Sequence, residues 1–199
     1  MYKDVCRRPA GRFVASIRGF TLIELLVTLS IVAILALVAV PGMGNLIADS
    51  RIAETRSRLF STLSLARSEA VRRGTHVAIC TTADGESCKE GYSAIKAVWT
   101  QALLFADVDE DRIYDAKNGD QLIRVIDLQA GADVFWGNRY AIVYDSDGSI
   151  WGLTNGSFYI YDQAEIEAGV KLVLQKTGRL RQTDFSNSDI KKLDQNLGQ

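Results

Sequence analysis

Histidine is nearly absent: His76 is the only one in 199 residues, beside three cysteines, two methionines and two prolines. It sits at the start of an expected strand beside Gly74, and neither a Ser-His-Asp set nor a metal cluster can be argued around it, so His76 reads as non-catalytic and an enzyme has little support. A zinc site is disfavoured as well, since apart from the cysteines His76 is the one soft donor near them. No internal repeat is present. The formal net charge is only −1, so global attraction to nucleic acid is excluded and any such contact must come from a local patch. Charge is missing altogether from residues 25–40, LLVTLSIVAILALVAV.

What is present is unevenly distributed. Hydrophobic residues make up 47% and charged residues 24%, which suits a globular domain and not a disordered one. Positive charge gathers at the front, where Lys3, Arg7, Arg8, Arg12 and Arg18 face Asp4 alone. Removing residues 1–19 leaves 18 basic against 23 acidic residues, a mildly acidic remainder. Residues 1–19 read as a basic leader held in the cytoplasm. The apolar run from Phe20 to Val40 is long enough for a membrane-spanning helix of roughly 30 Å. A secretory signal peptide would end in a small-residue cleavage site, whereas here Pro41-Gly42-Met43-Gly44 follows and a helical pattern resumes.

From Asn45 to Arg73, Ile52, Leu59, Leu63, Ala66 and Ala70 mark one face of an amphipathic helix. The other face carries Arg51, Glu54, Arg56, Arg58, Arg67, Glu69 and Arg72 and reads as a solvated stripe. Pro41 and its glycines are expected to kink or melt the helix, and Gly74 to stop it. Beyond Gly74 the period is that of strands. Expected strands are His76–Cys80, Ser93–Trp99, Ala102–Phe105, Leu122–Leu128, Tyr140–Tyr144, Ser149–Leu153, Phe158–Tyr161 and Val170–Leu174. Turn pairs at Asn118-Gly119, Asp147-Gly148, Asn155-Gly156 and Thr177-Gly178 separate several of them. The expected fold is therefore α+β, a hairpin-rich antiparallel sheet packed on the helix. Trp99, Trp136 and Trp151 are expected in its core. Residues 183–199 read as a polar, loose tail with a short helix near Asp189–Leu193. Cys80 and Cys88 bracket TTADGES, and a reversal at Asp84-Gly85 would bring them within disulfide reach in an oxidising compartment; in a cytosolic protein they would be two thiols.

The junction Arg18-Gly19-Phe20-Thr21-Leu22-Ile23-Glu24-Leu25-Leu26 decides the reading. Glu24 is a carboxylate at the head of an uncharged span, which costs several kcal/mol unless neutralised, paired or within reach of water. The segment GFTLIELLVTLSIVAILALVAVP resembles the N-terminus of type IV pilins and type II secretion pseudopilins. That resemblance implies cleavage by prepilin peptidase between Gly19 and Phe20, and N-methylation of Phe20. It further implies that Glu24 pairs with the amine of a neighbouring subunit, with Pro41 the helix-breaking proline. Downstream, ARSEAVRRG at 66–74, Val77-Ala78-Ile79-Cys80, the turn before Cys88 and FADVDED at 105–111 resemble the subfamily named for the pseudopilin GspH and the minor pilin FimT, which also includes FimU. The implied organisation is a leader at 1–19, a transmembrane and filament-core helix at 20–44, a periplasmic pilin-like head at 45–182 and the tail at 183–199. The implied protein is a single-pass inner-membrane subunit that joins other pilins or pseudopilins in a type IV pilus or type II secretion pseudopilus, near its tip, with no cofactor. A solitary membrane-anchored receptor would not explain Phe20 and Glu24.

Two further sites are weighed. Asp107, Asp109 and Asp111 alternate like calcium ligands, but the sixth and twelfth places of an EF-hand loop hold Arg112 and Asn118, so a solvated acidic turn is the plainer account. Gly178-Arg179-Leu180-Arg181 resembles the GRxR element of DNA-binding FimT proteins. It implies an alternative role in DNA uptake, with Lys176 and Lys171 adding charge, beside a plain β-turn with exposed arginines.

Overall fold

A computed structural model describes residues 20–89, 97–137, 141–152, 155–163 and 165–197. The leader with Gly19, most of the expected Ser93–Trp99 strand, Tyr140 and Leu153 lie outside the described residues. The chain divides into two compact units, one ending at Gly42 and one beginning at Met43.

The first helix, α1, runs from Leu22 to Arg73. Its assignment is unbroken through Pro41, so the expected melting does not occur. A proline removes only one backbone hydrogen bond, and the helical turns before and after it keep theirs. Gly74 ends it in the left-handed region, φ 66°, with its N–H on the Ala70 carbonyl at 2.9 Å.

Among the described residues eight strands follow: β1 Val77–Thr82, β2 Gln101–Ala106, β3 Gln121–Asp127, β4 Asp133–Trp136, β5 Ala141–Tyr144, β6 Asn155–Asp162, β7 Glu165–Gln175 and β8 Leu180–Thr183, closed by helix α2, Asn187–Leu197. They form two antiparallel sheets, ordered β3-β2-β1-β5 and β4-β6-β7-β8, in place of the single sheet expected. Ser149–Leu153 is not a strand; Ile150 makes one bridge to Tyr144 and the chain then turns. Asn155-Gly156 is not a turn either. It opens β6, paired with Leu174 and Gln175 of β7.

Within the second unit, Ile52, Leu59, Leu63, Ala66 and Ala70 of α1 pack on Val77, Ile79, Leu104 and Ile142 of the first sheet and on Trp136, Phe158, Leu172 and Leu174 of the second. One helical stripe thus seals both sheets. Along β1 the intervening residues Ala78 and Cys80 point the other way, as the two-residue period of a strand requires, and join Leu103, Phe105, Ala141 and Val143 in a second cluster. That outer face is covered by Cys88, Tyr114 and Trp151 from three loops. Every residue of β1 is therefore buried. Trp99 and Trp136 are core residues; Trp151 is half-buried in a turn, with the Arg112 guanidinium 4.3 Å from its ring centre.

The C-terminal segment is folded, contrary to the loose tail expected. Ser186 caps α2, its N–H and hydroxyl both donating to Asp189 Oδ2 at 3.1 and 2.7 Å. Leu193 is buried against Phe135, Tyr159 and Tyr161.

Candidate functional site

Thr21 caps α1: its Oγ1 accepts the Glu24 N–H at 3.2 Å and its carbonyl accepts that of Leu25 at 3.1 Å. A threonine followed three residues later by glutamate is the sequence of a capping box, and the negative side chain also suits the positive end of the helix dipole. Glu24 is exposed, in the first turn. Around it the apolar side chains have no cover from the chain: Phe20 is 85% exposed, Leu22 76% and Leu37 still 78%. The hydroxyls of Thr28 and Ser30 turn back onto the Leu25 and Leu26 carbonyls at 2.9 and 2.8 Å. With its hydroxyls satisfied internally, this surface suits an apolar surrounding on all sides. Among the described residues no helix is long and apolar enough to cross a membrane. The described side chains of the run end at Leu37, short of the sequence's own apolar limit at Val40.

The arginine stripe of α1 is not merely solvated. Arg51 Nη1 lies 3.3 Å from Asp162, Arg56 donates to Gln182 Oε1 at 2.9 Å, Arg67 Nε to the Gly148 carbonyl at 3.0 Å, and Arg73 to Gln121 Oε1 at 3.0 Å. These side chains strap the helix to both sheets. Arg72 and Arg73 also hold Glu69, whose carboxyl their hydrogen bonds lower to about 2.

The Gly178-Arg179-Leu180-Arg181 element joins β7 to β8. Gly178 donates to the Gln175 carbonyl at 2.9 Å and Gln175 to that of Arg179, also at 2.9 Å, a hairpin whose last turn residue must be left-handed; Gly178 has φ 74°. A side chain there would also strike the Gly148 carbonyl. Gly178 is thus required by the turn itself. Arg179, Arg181 and Lys176 are exposed, and Arg179 lines a groove of about 650 Å³ with Phe60, Arg67, Val71, Arg72 and Tyr144. Lys171 does not join them. Its Nζ is 2.8 Å from Asp189 Oδ1, on the pillar that holds α2.

The acidic loop after β2 regroups the expected carboxylates. Asp107 and Asp109 come together with Asp120, not Asp111, whose Oδ1 accepts the Ile113 N–H at 2.7 Å. Burial, then the charge of Asp120, pushes the Asp107 carboxyl up to about 6 against a hydrogen bond from the Arg112 N–H. Asp120 escaped the sequence reading because it lies beyond the Asn118-Gly119 turn. Its only signal was an isolated aspartate opening a strand. Cys80 and Cys88 form a disulfide, Cα atoms 5.6 Å apart. His76 contacts Glu110 and Asp145, each at 3.5 Å, and the Trp151 ring.

The family model described as Type II transport protein GspH matches residues 55–178, and the prokaryotic N-terminal methylation motif matches residues 15–40. The chain belongs to the GspH family. It is a minor pilin or pseudopilin by that membership and its methylation motif. The crystal structure of the Pseudomonas aeruginosa type IV minor pilin FimU is similar at TM-score 0.51 and 16% identity, over 67% of this chain and 89% of that one. The solution structure of Escherichia coli GspH is similar at TM-score 0.46 and 15% identity, over 70% and 92%. At such identities the FimU comparison supports the fold: an N-terminal helix packed on an antiparallel β head. No curated protein matches the chain.

Proposed function

We propose that this GspH-family chain is a subunit of a type IV pilus or type II secretion pseudopilus, placed near the tip, and anchored in the inner membrane before assembly with its head in the periplasm. The observation that carries this reading is Glu24, an exposed carboxylate in the first turn of a helix whose described apolar side chains the chain leaves uncovered. Prepilin peptidase cuts between Gly19 and Phe20, and the new Phe20 amine is methylated. In a filament that amine and Glu24 of a neighbour are each costly in an apolar surrounding and compensate one another when paired. The uncovered helix then packs against its counterparts in other subunits, with Pro41 at the boundary of the packed segment.

The test is incorporation. Glu24→Ala expressed in the native host should remain in the membrane and be absent from sheared filaments. Undiminished incorporation would overturn the role of Glu24 in assembly, and absence of the unaltered chain from the filaments would overturn the function itself.

A second reading is DNA capture for uptake, favoured by one observation: Arg179, Arg181 and Lys176 stand exposed around the β7–β8 turn at the edge of the second sheet. A few phosphate contacts give weak, sequence-independent, salt-sensitive binding. In mobility-shift assays Arg179→Ala with Arg181→Ala should abolish the shift; an unchanged shift would reject the site.

A further inference from the structure

The loop between β2 and β3 holds acidic side chains that the proposed function does not draw on. One oxygen each of Asp107, Asp109 and Asp120 lies within 4.8 Å of one in each of the others. Asp107 is 1% and Asp120 6% exposed. Two carboxylates buried side by side lose hydration and repel one another, so such a pair needs compensation. Asp120 has some, accepting the Val108 and Asp115 N–H groups at 2.9 and 3.0 Å. Asp107 has less: Oδ2 accepts the Arg112 N–H at 3.2 Å, while Oδ1 is shut from solvent with no donor among the described residues. The basic side chain nearest in sequence does not neutralise it, because the Arg112 guanidinium stacks over Trp151.

A buried carboxylate that keeps one oxygen without a donor and is grouped with two more carboxylates is placed to bind a cation. The all-oxygen set suits a hard ion. Calcium accepts about six to eight oxygens in flexible geometry, filled out by backbone carbonyls and water, whereas magnesium demands a near-ideal octahedral shell and keeps most of its waters. We propose that Asp107, Asp109 and Asp120 form a calcium site that ties the start of the β2–β3 loop to its end. The EF-hand ligand order fails here because the third carboxylate comes from the far side of the loop. The consequence is mechanical. The same loop carries Tyr114, whose ring meets Phe105 at 5.4 Å and whose N–H lies 3.5 Å from Cys88 Sγ. Calcium would therefore fasten the cover over the outer face of the first sheet at one end while the disulfide fastens it at the other.

The full chain in detergent, stripped with a chelator, is titrated with calcium chloride and separately with magnesium chloride, by calorimetry and by thermal unfolding. One calcium per chain is expected, with a Kd of about 10⁻⁴–10⁻³ M, the range of extracellular modules, and a raised unfolding midpoint. Asp109 is exposed, so Asp109→Asn should keep the fold and weaken calcium binding about tenfold or more. Asp107→Asn should lose the calcium response yet unfold at a higher temperature than the parent in chelator, because it removes the undonated buried charge. No heat and no midpoint shift up to about 10 mM calcium, an order of magnitude above that Kd range, would overturn the proposal. So would an equal response to magnesium, unaltered binding by Asp109→Asn, or a less stable Asp107→Asn in chelator.

Discussion

The indole of Trp136 occupies the space where a side chain on Gly156 would stand. Trp136 is fully buried, its ring centre 4.3 Å from that of Phe158, so it cannot yield without opening the core between α1 and the second sheet. Overpacking of this kind costs about 1–3 kcal/mol. Gly156→Ala should lower the unfolding free energy by that amount in urea titration. A change under about 0.5 kcal/mol, the usual effect of a surface substitution, would show that Trp136 is not held as described.

The disulfide makes a second prediction. Cys80 and Cys88 are eight positions apart, and closing a loop of that size stabilises the folded chain by about 2.5 kcal/mol through the entropy of the unfolded state. Within the loop, Asp84 Oδ1 accepts the Glu86 and Ser87 N–H groups, each at 2.9 Å, so the turn keeps its own internal bonds. Reduction, or Cys80→Ala with Cys88→Ala, should lower stability by roughly that amount while the circular dichroism of the head persists. A reduced chain as stable as the oxidised one would contradict this account.

Asp189 couples stability to acid. Burial raises its pKa, but hydrogen bonds from Lys171 and Ser186 outweigh that and hold it at about 2, below its ordinary 3.8. Because the folded value is depressed, the stabilisation is complete above pH 3.8 and is lost as pH falls toward 2. Asp189→Asn should therefore cost about 2 kcal/mol at pH 7 and nearly nothing at pH 2. Hydrogen exchange of residues 187–197 should report the same loss as α2 undocks. A cost independent of pH would mean that the Lys171 pair does not hold the helix.

The N-terminal segment was legible because its chemistry is local. Thr21, Glu24 and the uncharged run stand next to one another in the chain, and the α1 stripe repeats at helical spacing. The two-sheet division was not. β4 and β8 have four residues each, too few to show a period, and Asn155-Gly156 has the composition of a turn although its glycine is there to admit Trp136. The near-continuous apolar runs of β1 and β2 do agree with strands covered on both faces, but they do not say which loops supply the outer cover. Lys171, read as a phosphate contact, is committed to Asp189, and Asp120 joins Asp107 only through the pairing of β2 with β3. Contacts of that kind have no trace in spacing. The solvated look of the arginine stripe failed for the same reason, since the carbonyl that Arg67 reaches belongs to Gly148.

The most direct measurement is mass spectrometry of the chain isolated from its native host. The account predicts a mature protein that begins at Phe20 and carries one methyl group on its amine. A chain still beginning at Met1 and unmethylated, recovered from cells whose other pilins are processed, would contradict it.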